Sequence, residues 1–346
     1  MLPCLNALQP SAERLIEIDN PGLTLAPTLG LTLRQSLMTG RTPFPAQAAS
    51  PCTMYIPAQN QPGTHPQSPA ASPINGLQIR VGFEFEYDCP APTPMILALS
   101  IHYSRAGDLV YPDHLTTQPA VPVTAYRDLF GNWCSRIVAP QGKFVMRSDA
   151  LLYDSGMPDV VSYDAMQVPV QFLPESSLVY LLGSRYVETD QLSDIAWSHF
   201  GGGPTGWARV QAICDFVHQH ITFGYQYARR TRTAWEAYRE GQGVCRDYAH
   251  LAIAFCRCMN IPARYCTGYL GDIRIPKVPA PMDFAGWFEA YLGDRWYTFD
   301  ARNNTPRVGR VLMARGRDAC DVALISTFGP NTLQRFEVWA DEVGPG

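Results

Sequence analysis

The stretch GQGVCRDYAHLAIAFC, residues 241–256, decides the fold. Gly241 and Gly243 break regular structure, and Val244 to Cys256 then places apolar residues on nearly every face of a helix. A helix that is apolar all round is a buried central helix. Asn260 is suited to end it, and Pro262 prevents a restart. Cys245 therefore stands on the first turn, directly after the glycine-rich break. The dipole and the unsatisfied N–H groups of a helix N-terminus favour a thiolate there. The same groups suit a tetrahedral oxyanion. Taken alone, a core cysteine that happens to open a helix fits the same text.

Working outward, residues 263–269, 286–291 and 295–300 read as strands. Gly293-Asp294 makes a tight hairpin between the last two. Upstream, helical patterns begin near Asp190. Thr205 is placed to cap a helix running to Val217, with Trp207, Val210, Ile213, Cys214 and Val217 on one face. Thr233 and Glu236 have capping-box spacing, so a short helix begins there. Helices followed by a sheet predict an α+β core over residues 185–305.

Before the core, Ile79, Val81, Phe83, Phe85 and Tyr87 alternate with Arg80, Gly82, Glu84 and Glu86. Period two means one buried face and one wet face. Residues 95–103 and 144–153 also read as strands, and Gly131-Asn132 is a turn signal. Residues 77–175 are thus expected to form an antiparallel β-domain. Residues 1–76 hold 12 of the 30 prolines and are read as a disordered segment or an extended arm. Residues 306–346 are expected to pack on the core as a C-terminal extension.

Composition excludes several classes. With 46% hydrophobic and 17% charged residues, the chain can bury a real core. A net charge of −4 without a dense basic block leaves no footprint for nucleic acid or an anionic membrane. No apolar run approaches the roughly 20 residues a membrane helix needs. No signal peptide is evident, and a cytoplasmic location is expected. The ten cysteines include no CxxC pair and read as free thiols, most of them buried. His218-x-His220 lacks a partnering Cys or acidic cluster, so neither a metal nor a cofactor is expected.

Several motifs recur in order. Gly243, Cys245, Asp247 and Ala249 give G-x-C-x-D-x-A. Ile261 to Arg264 precede Gly268-Tyr269. Trp287 and Glu289 lie on a later strand, and Asp300 ends the strand after that. This pattern resembles the transglutaminase-like superfamily of papain-related cysteine enzymes over about residues 190–305. The segment Tyr126 to Asn132 and the β pattern around it resemble the bacterial transglutaminase-like N-terminal region.

The resemblance implies a papain/transglutaminase-like core and a Cys-His-Asp triad. Cysteine would attack an acyl carbon, usually of an amide, and form a thioester. Histidine would carry the proton, and aspartate would orient the imidazole. Cys245 and Asp300 match two of these positions; Ala285 occupies the third. Seven histidines stand at 65, 102, 114, 199, 218, 220 and 250, none of them after residue 250. His250 follows Cys245 by five residues on one helix and so points about 140° away from it. A histidine packed inside the domain is the reading for it.

Two functions follow. One is an acyl-transfer enzyme of amidase or peptidase type, with activity reduced or dependent on another base, acting on a peptide or amide-containing substrate. The other is a catalytically inactive module that binds peptides or a protein partner. Trp287, Gly243 and Asn303 are the expected substrate contacts. A core position for Trp287 and a solvated loop for Asn303 stand beside that reading.

Overall fold

The alternation read at residues 77–89 builds β1 (Leu77–Cys89), an inner strand of the N-terminal sheet. The computed structural model describes residues 76–279 and 281–344. Apart from Gly76, the proline-rich segment expected at 1–76 lies outside the described residues. Ile79, Val81, Phe83, Phe85 and Tyr87 are all buried, whereas Arg80 and Asp88 on the other face are exposed.

Then follow β2 (Thr93–Leu97), β3 (Leu109–Tyr111), β4 (Thr116–Gln118), β5 (Thr124–Arg127), β6 (Trp133–Ala139) and β7 (Gly142–Asp154). β7 pairs antiparallel with β1 along its length, from Leu77 opposite Asp154 to Cys89 opposite Gly142. β3 and β4 both pair with β7, while β2, β6 and β5 form a second sheet. The strand read at 95–103 stops at Leu97, because other partners take the backbone beyond it. Ala98 donates to the Leu324 carbonyl (2.9 Å), Ile101 to Asp113 (2.6 Å) and His102 to the Leu312 carbonyl (2.9 Å).

The helical region holds α1 (Thr189–Phe200), α2 (Trp207–His220), α3 (Ala234–Glu240) and α4 (Cys245–Cys258). Thr205 does not cap α2. The cap position is Gly206 at φ 68°, and the Trp207 N–H donates to the Ala165 carbonyl at 2.9 Å. A Cβ at Gly206 would lie 2.4 Å from that same carbonyl oxygen, so only glycine fits this junction. The capping box at α3 is present in both directions: Glu236 N–H to Thr233 Oγ1 at 3.3 Å, and Thr233 N–H to Glu236 Oε2 at 3.0 Å.

α4 is buried along its whole length after Cys245. Helices α1, α2 and α3 cover it, and strands β10 (Ala263–Leu270) and β11 (Ala285–Leu292) pack against its remaining face. Each of Leu251, Ile253 and Phe255 is fully buried there, worth about 1.5–3 kcal/mol apiece. Asn260 ends the helix in a left-handed conformation (φ 61°). The core sheet is antiparallel, in the order β12 (Arg295–Phe299), β11, β10, β13 (Arg310–Gly316).

The tail divides between the sheets. β13 borders β10; β14 (Ile325–Thr327) pairs with β2; β15 (Thr332–Val343) runs along β1, from Gln78 opposite Val343 to Asp88 opposite Thr332. β15 thereby covers an edge that β1 would otherwise expose. The turn at Asp128–Asn132 ties the two parts together. Asn132 accepts from the Arg315 N–H (2.9 Å) and donates to the Arg315 carbonyl (2.8 Å), copying a strand's hydrogen bonds with a side chain.

Candidate active site

The start of α4 is fixed by a buried carboxylate. Asp247 accepts from the Val244 N–H (2.9 Å), from Arg232 (3.1 Å) and from Arg246 (3.4 Å), and its side chain is wholly buried. It thus satisfies one of the N–H groups a helix start leaves over. Arg232 in turn reaches Glu240 at 2.9 Å, and Arg246 holds the carbonyls of Arg229 and Arg230. A Cβ at Gly243 would lie 2.6 Å from Asp247 Oδ2. The glycine before the cysteine therefore makes room for the carboxylate. Gly243 sits in β9 (Gln242–Gly243), paired in parallel with β8 (Thr222–Phe223), and is buried.

Cys245 is half-buried, on the first turn of the helix. It lines a cleft of about 440 Å³. Phe223 and Tyr225 form one wall. Residues 271–278 and 281–284, between β10 and β11, form another, and Ala340, Asp341 and Glu342 of β15 close a third side. Ala285, Arg302, Asn303 and Arg307 complete the lining. The cleft thus lies where the core meets the N-terminal sheet.

Of the residues singled out in the sequence, Cys245, Ala285 and Asn303 share this cleft. Asp300 stands behind it, one residue past β12. Its Oδ1 accepts from the backbone of Arg302 (3.1 Å) and Asn303 (3.0 Å), and its Oδ2 from Asn303 Nδ2 (2.7 Å) and Arg310 (3.2 Å). Both oxygens are engaged, so the carboxylate shapes the Arg302–Asn303 turn. Burial alone would lower the Arg310 pKa, but Asp300 and Asp159 together hold it above the usual arginine value. Trp287 does not line the cleft. It is buried on β11, with the Arg310 guanidinium 4.7 Å from its ring centre.

Among the described residues, no histidine lines the cleft. His250 is fully buried, accepts the Ala319 N–H at 3.1 Å, and lies between the rings of Tyr186 and Tyr265. Burial and the nearby Arg246 and Arg257 push its pKa well down, so it stays neutral. His218 meets the Ala301 carbonyl (3.1 Å), and His220 meets that of Tyr238 (2.7 Å).

Asp283 is a chemically able cleft residue that was not singled out from the sequence. It lies two residues before Ala285, is buried, and accepts the Phe284 N–H at 2.7 Å. Phe284 turns toward Phe83, Phe85, Tyr269 and Phe336. Extended chain alternates sides, which brings Asp283 and Ala285 to the same one. The sequence signal was present in that spacing, but a lone Asp before a strand is also an ordinary turn residue.

Residues 196–301 match the family model of the transglutaminase-like superfamily. A solved structure of a candidate cysteine protease from Cytophaga hutchinsonii is 28% identical, with a TM-score of 0.67. The match covers 79% of this chain and 92% of that one. An uncharacterized protein of Mycobacterium leprae (strain TN), ML0607, is 23% identical over 259 residues, which is 69% of this chain and 88% of the relative. The buried helix opened by Cys245, the four-stranded sheet and these matches agree: residues 196–301 of the chain form a core domain of the transglutaminase-like superfamily.

Proposed function

We propose that the chain is a cysteine acyl-transfer enzyme of amidase or peptidase type that works with an incomplete triad. The observation that carries this reading is the setting of Cys245, half-buried at the start of a 14-residue buried helix and open to a cleft. Likeness to a candidate cysteine protease supports it.

In this scheme the Cys245 thiolate attacks the carbonyl carbon of a peptide or amide-containing donor. The first-turn N–H groups of α4 receive the developing oxyanion. The intermediate collapses to a thioester as the leaving group departs, and water or an amine then takes the acyl group and restores the thiol. With Ala285 in the triad position, the thiol proton goes to solvent or to Asp283, the carboxylate on the Ala285 side of the cleft. A carboxylate is a far weaker base than imidazole, and general acid–base help is typically worth about 10²–10⁴ in rate. Amides, whose leaving nitrogen must be protonated, suffer most from its loss. Thioesters and activated esters suffer least.

The test is to incubate the protein with a short peptide thioester and locate the acyl adduct by mass spectrometry. An adduct on Cys245, absent in Cys245→Ala, is expected. Unchanged turnover in Cys245→Ala would sink the proposal. A second reading draws on the full engagement of both Asp300 oxygens without an imidazole. In it the cleft binds a peptide or protein segment without turnover. Saturable peptide binding with no adduct and an unreactive Cys245 would favour that alternative.

A further inference from the structure

Several arginines in and around the core meet carboxylates. Arg232 and Arg246 lie 3.1 and 3.4 Å from Asp247, and Arg264 and Arg315 lie 2.6 and 3.6 Å from Glu289. Arg310 lies 3.2 Å from Asp300, and Arg317 lies 2.8 Å from Asp321. Arg302 differs. Among the described residues no carboxylate pairs with its guanidinium, which instead stacks on Phe223 with the ring centre 4.1 Å away. Its backbone is fixed by the hydrogen bond to Asp300 at 3.1 Å. Both Arg302 and Phe223 line the cleft that contains Cys245.

Besides Glu342, the acids that line the cleft are answered elsewhere. Asp272 accepts the Val278 N–H (2.7 Å) and stands 4.0 Å from Arg307. Asp341 stands 3.5 Å from Lys277, and Asp283 takes the Phe284 N–H. An arginine stacked by its flat face keeps its edge N–H groups for a planar, forked acceptor, and a carboxylate is that shape. Aromatic stacking also reduces the rotamer freedom that binding would otherwise cost.

We propose that the cleft takes an acyl donor bearing a carboxylate, and that Arg302, held on Phe223, is the residue that recognises it. The proposal rests on Cys245 being the nucleophile of this cleft. It adds the chemical class of the substrate and the residue that selects it.

Alkylation of Cys245 by iodoacetate and by iodoacetamide tests this. The reagents place the same methylene on sulfur and differ in carrying a carboxylate or a neutral amide. Rates at the Cys245 peptide are read by mass spectrometry, with 2-mercaptoethanol in the same buffer as the reference thiol. The iodoacetate-to-iodoacetamide rate ratio at Cys245 is expected to exceed that of the reference by about tenfold, the scale of one charge-assisted hydrogen bond. Arg302→Met, which keeps an apolar contact with Phe223, should bring the ratio to within about twofold of the reference, and Arg302→Lys, which keeps the charge but loses the planar fork, should give a ratio between those of the parent and Arg302→Met. Buried Cys214 and Cys256 report folding in each variant by staying unlabelled. Fast labelling of Cys245 with no preference for iodoacetate, or a preference that survives in a folded Arg302→Met, overturns the carboxylate proposal and leaves the nucleophile standing. Resistance of Cys245 to both reagents overturns the nucleophile itself, and the substrate class with it.

Discussion

The two ends of α4 carry the same side chain in opposite surroundings. At the N-terminus, Cys245 is half-buried beside a cleft, and the helix there presents N–H groups and the positive end of its dipole. At the C-terminus, Cys256 and Cys258 are buried. Burial pushes the Cys258 thiol up to about 11 and the Cys256 thiol higher still, and the Cys258 S–H rests on the Thr189 carbonyl at 3.4 Å. The charged groups follow the same division. An acid, Asp247, satisfies the first turn, while Arg257 donates to the carbonyls of Leu182, Ala263 and Arg317 near the last. Burial lowers the Arg257 pKa to about 10, yet the cation is retained because it completes those carbonyls. One helix thus opens one thiol to a cleft at its first turn and buries two near its last. Position on the helix and access to the cleft separate them; residue type does not.

Removing the carboxylate that organises the N-terminal end should cost most. Asp247→Ala leaves Arg232 and Arg246 buried without their shared partner and frees the Val244 N–H. Breaking a buried pair of this kind is expected to cost about 3–5 kcal/mol, read from the urea midpoint. A loss under about 1 kcal/mol would mean the helix start does not depend on that network.

Cysteine-to-serine changes at the two ends sharpen the contrast. Cys256→Ser puts a hydroxyl into a fully buried apolar site and should cost about 1–3 kcal/mol. Cys245→Ser should stay within about 0.5 kcal/mol of the parent while losing the acyl adduct. Equal costs at the two positions would erase the distinction drawn here.

The smallest effect is the alkaline one. An unfolded thiol titrates near about 8.5. The folded Cys258 holds its proton to about 11 because burial disfavours the thiolate. Between those values the unfolded chain binds fewer protons than the native one, so stability falls as pH rises. The urea midpoint should therefore drop between pH 8 and pH 10.5, and drop less in Cys258→Val. An identical slope in parent and variant would show that Cys258 does not contribute.

How much of this was legible in the sequence depended on range. Cys245, Ala285 and Asp300 could be located because each belongs to a short motif whose local pattern names its element. β1 could be read from alternation alone, since one face meets the core and the other meets water. The pairing of β15 with β1 could not be read, because strand partners distant in sequence are chosen by tertiary packing. For the same reason, the cleft wall at Ala340–Glu342 was invisible. Trp287 looked like a cleft residue because its neighbours carry the family motif. Its ring instead lies beneath Arg310, whose approach depends on Asp159 and Asp300 from elsewhere in the chain. Arg302 was visible only as part of a polar turn. Its stacking on Phe223, and the absence among the described residues of a carboxylate paired with its guanidinium, needed the fold.

The most direct measurement is esterase activity after Ala285→His. If the cleft is organised for acyl transfer and lacks only its imidazole, the variant should hydrolyse an activated ester such as p-nitrophenyl acetate about 10²-fold or more faster than the parent, and Cys245→Ala in the same background should abolish the gain. A folded Ala285→His protein whose Cys245 still accepts iodoacetamide, yet which shows no increase, would contradict the view that the base is the missing part.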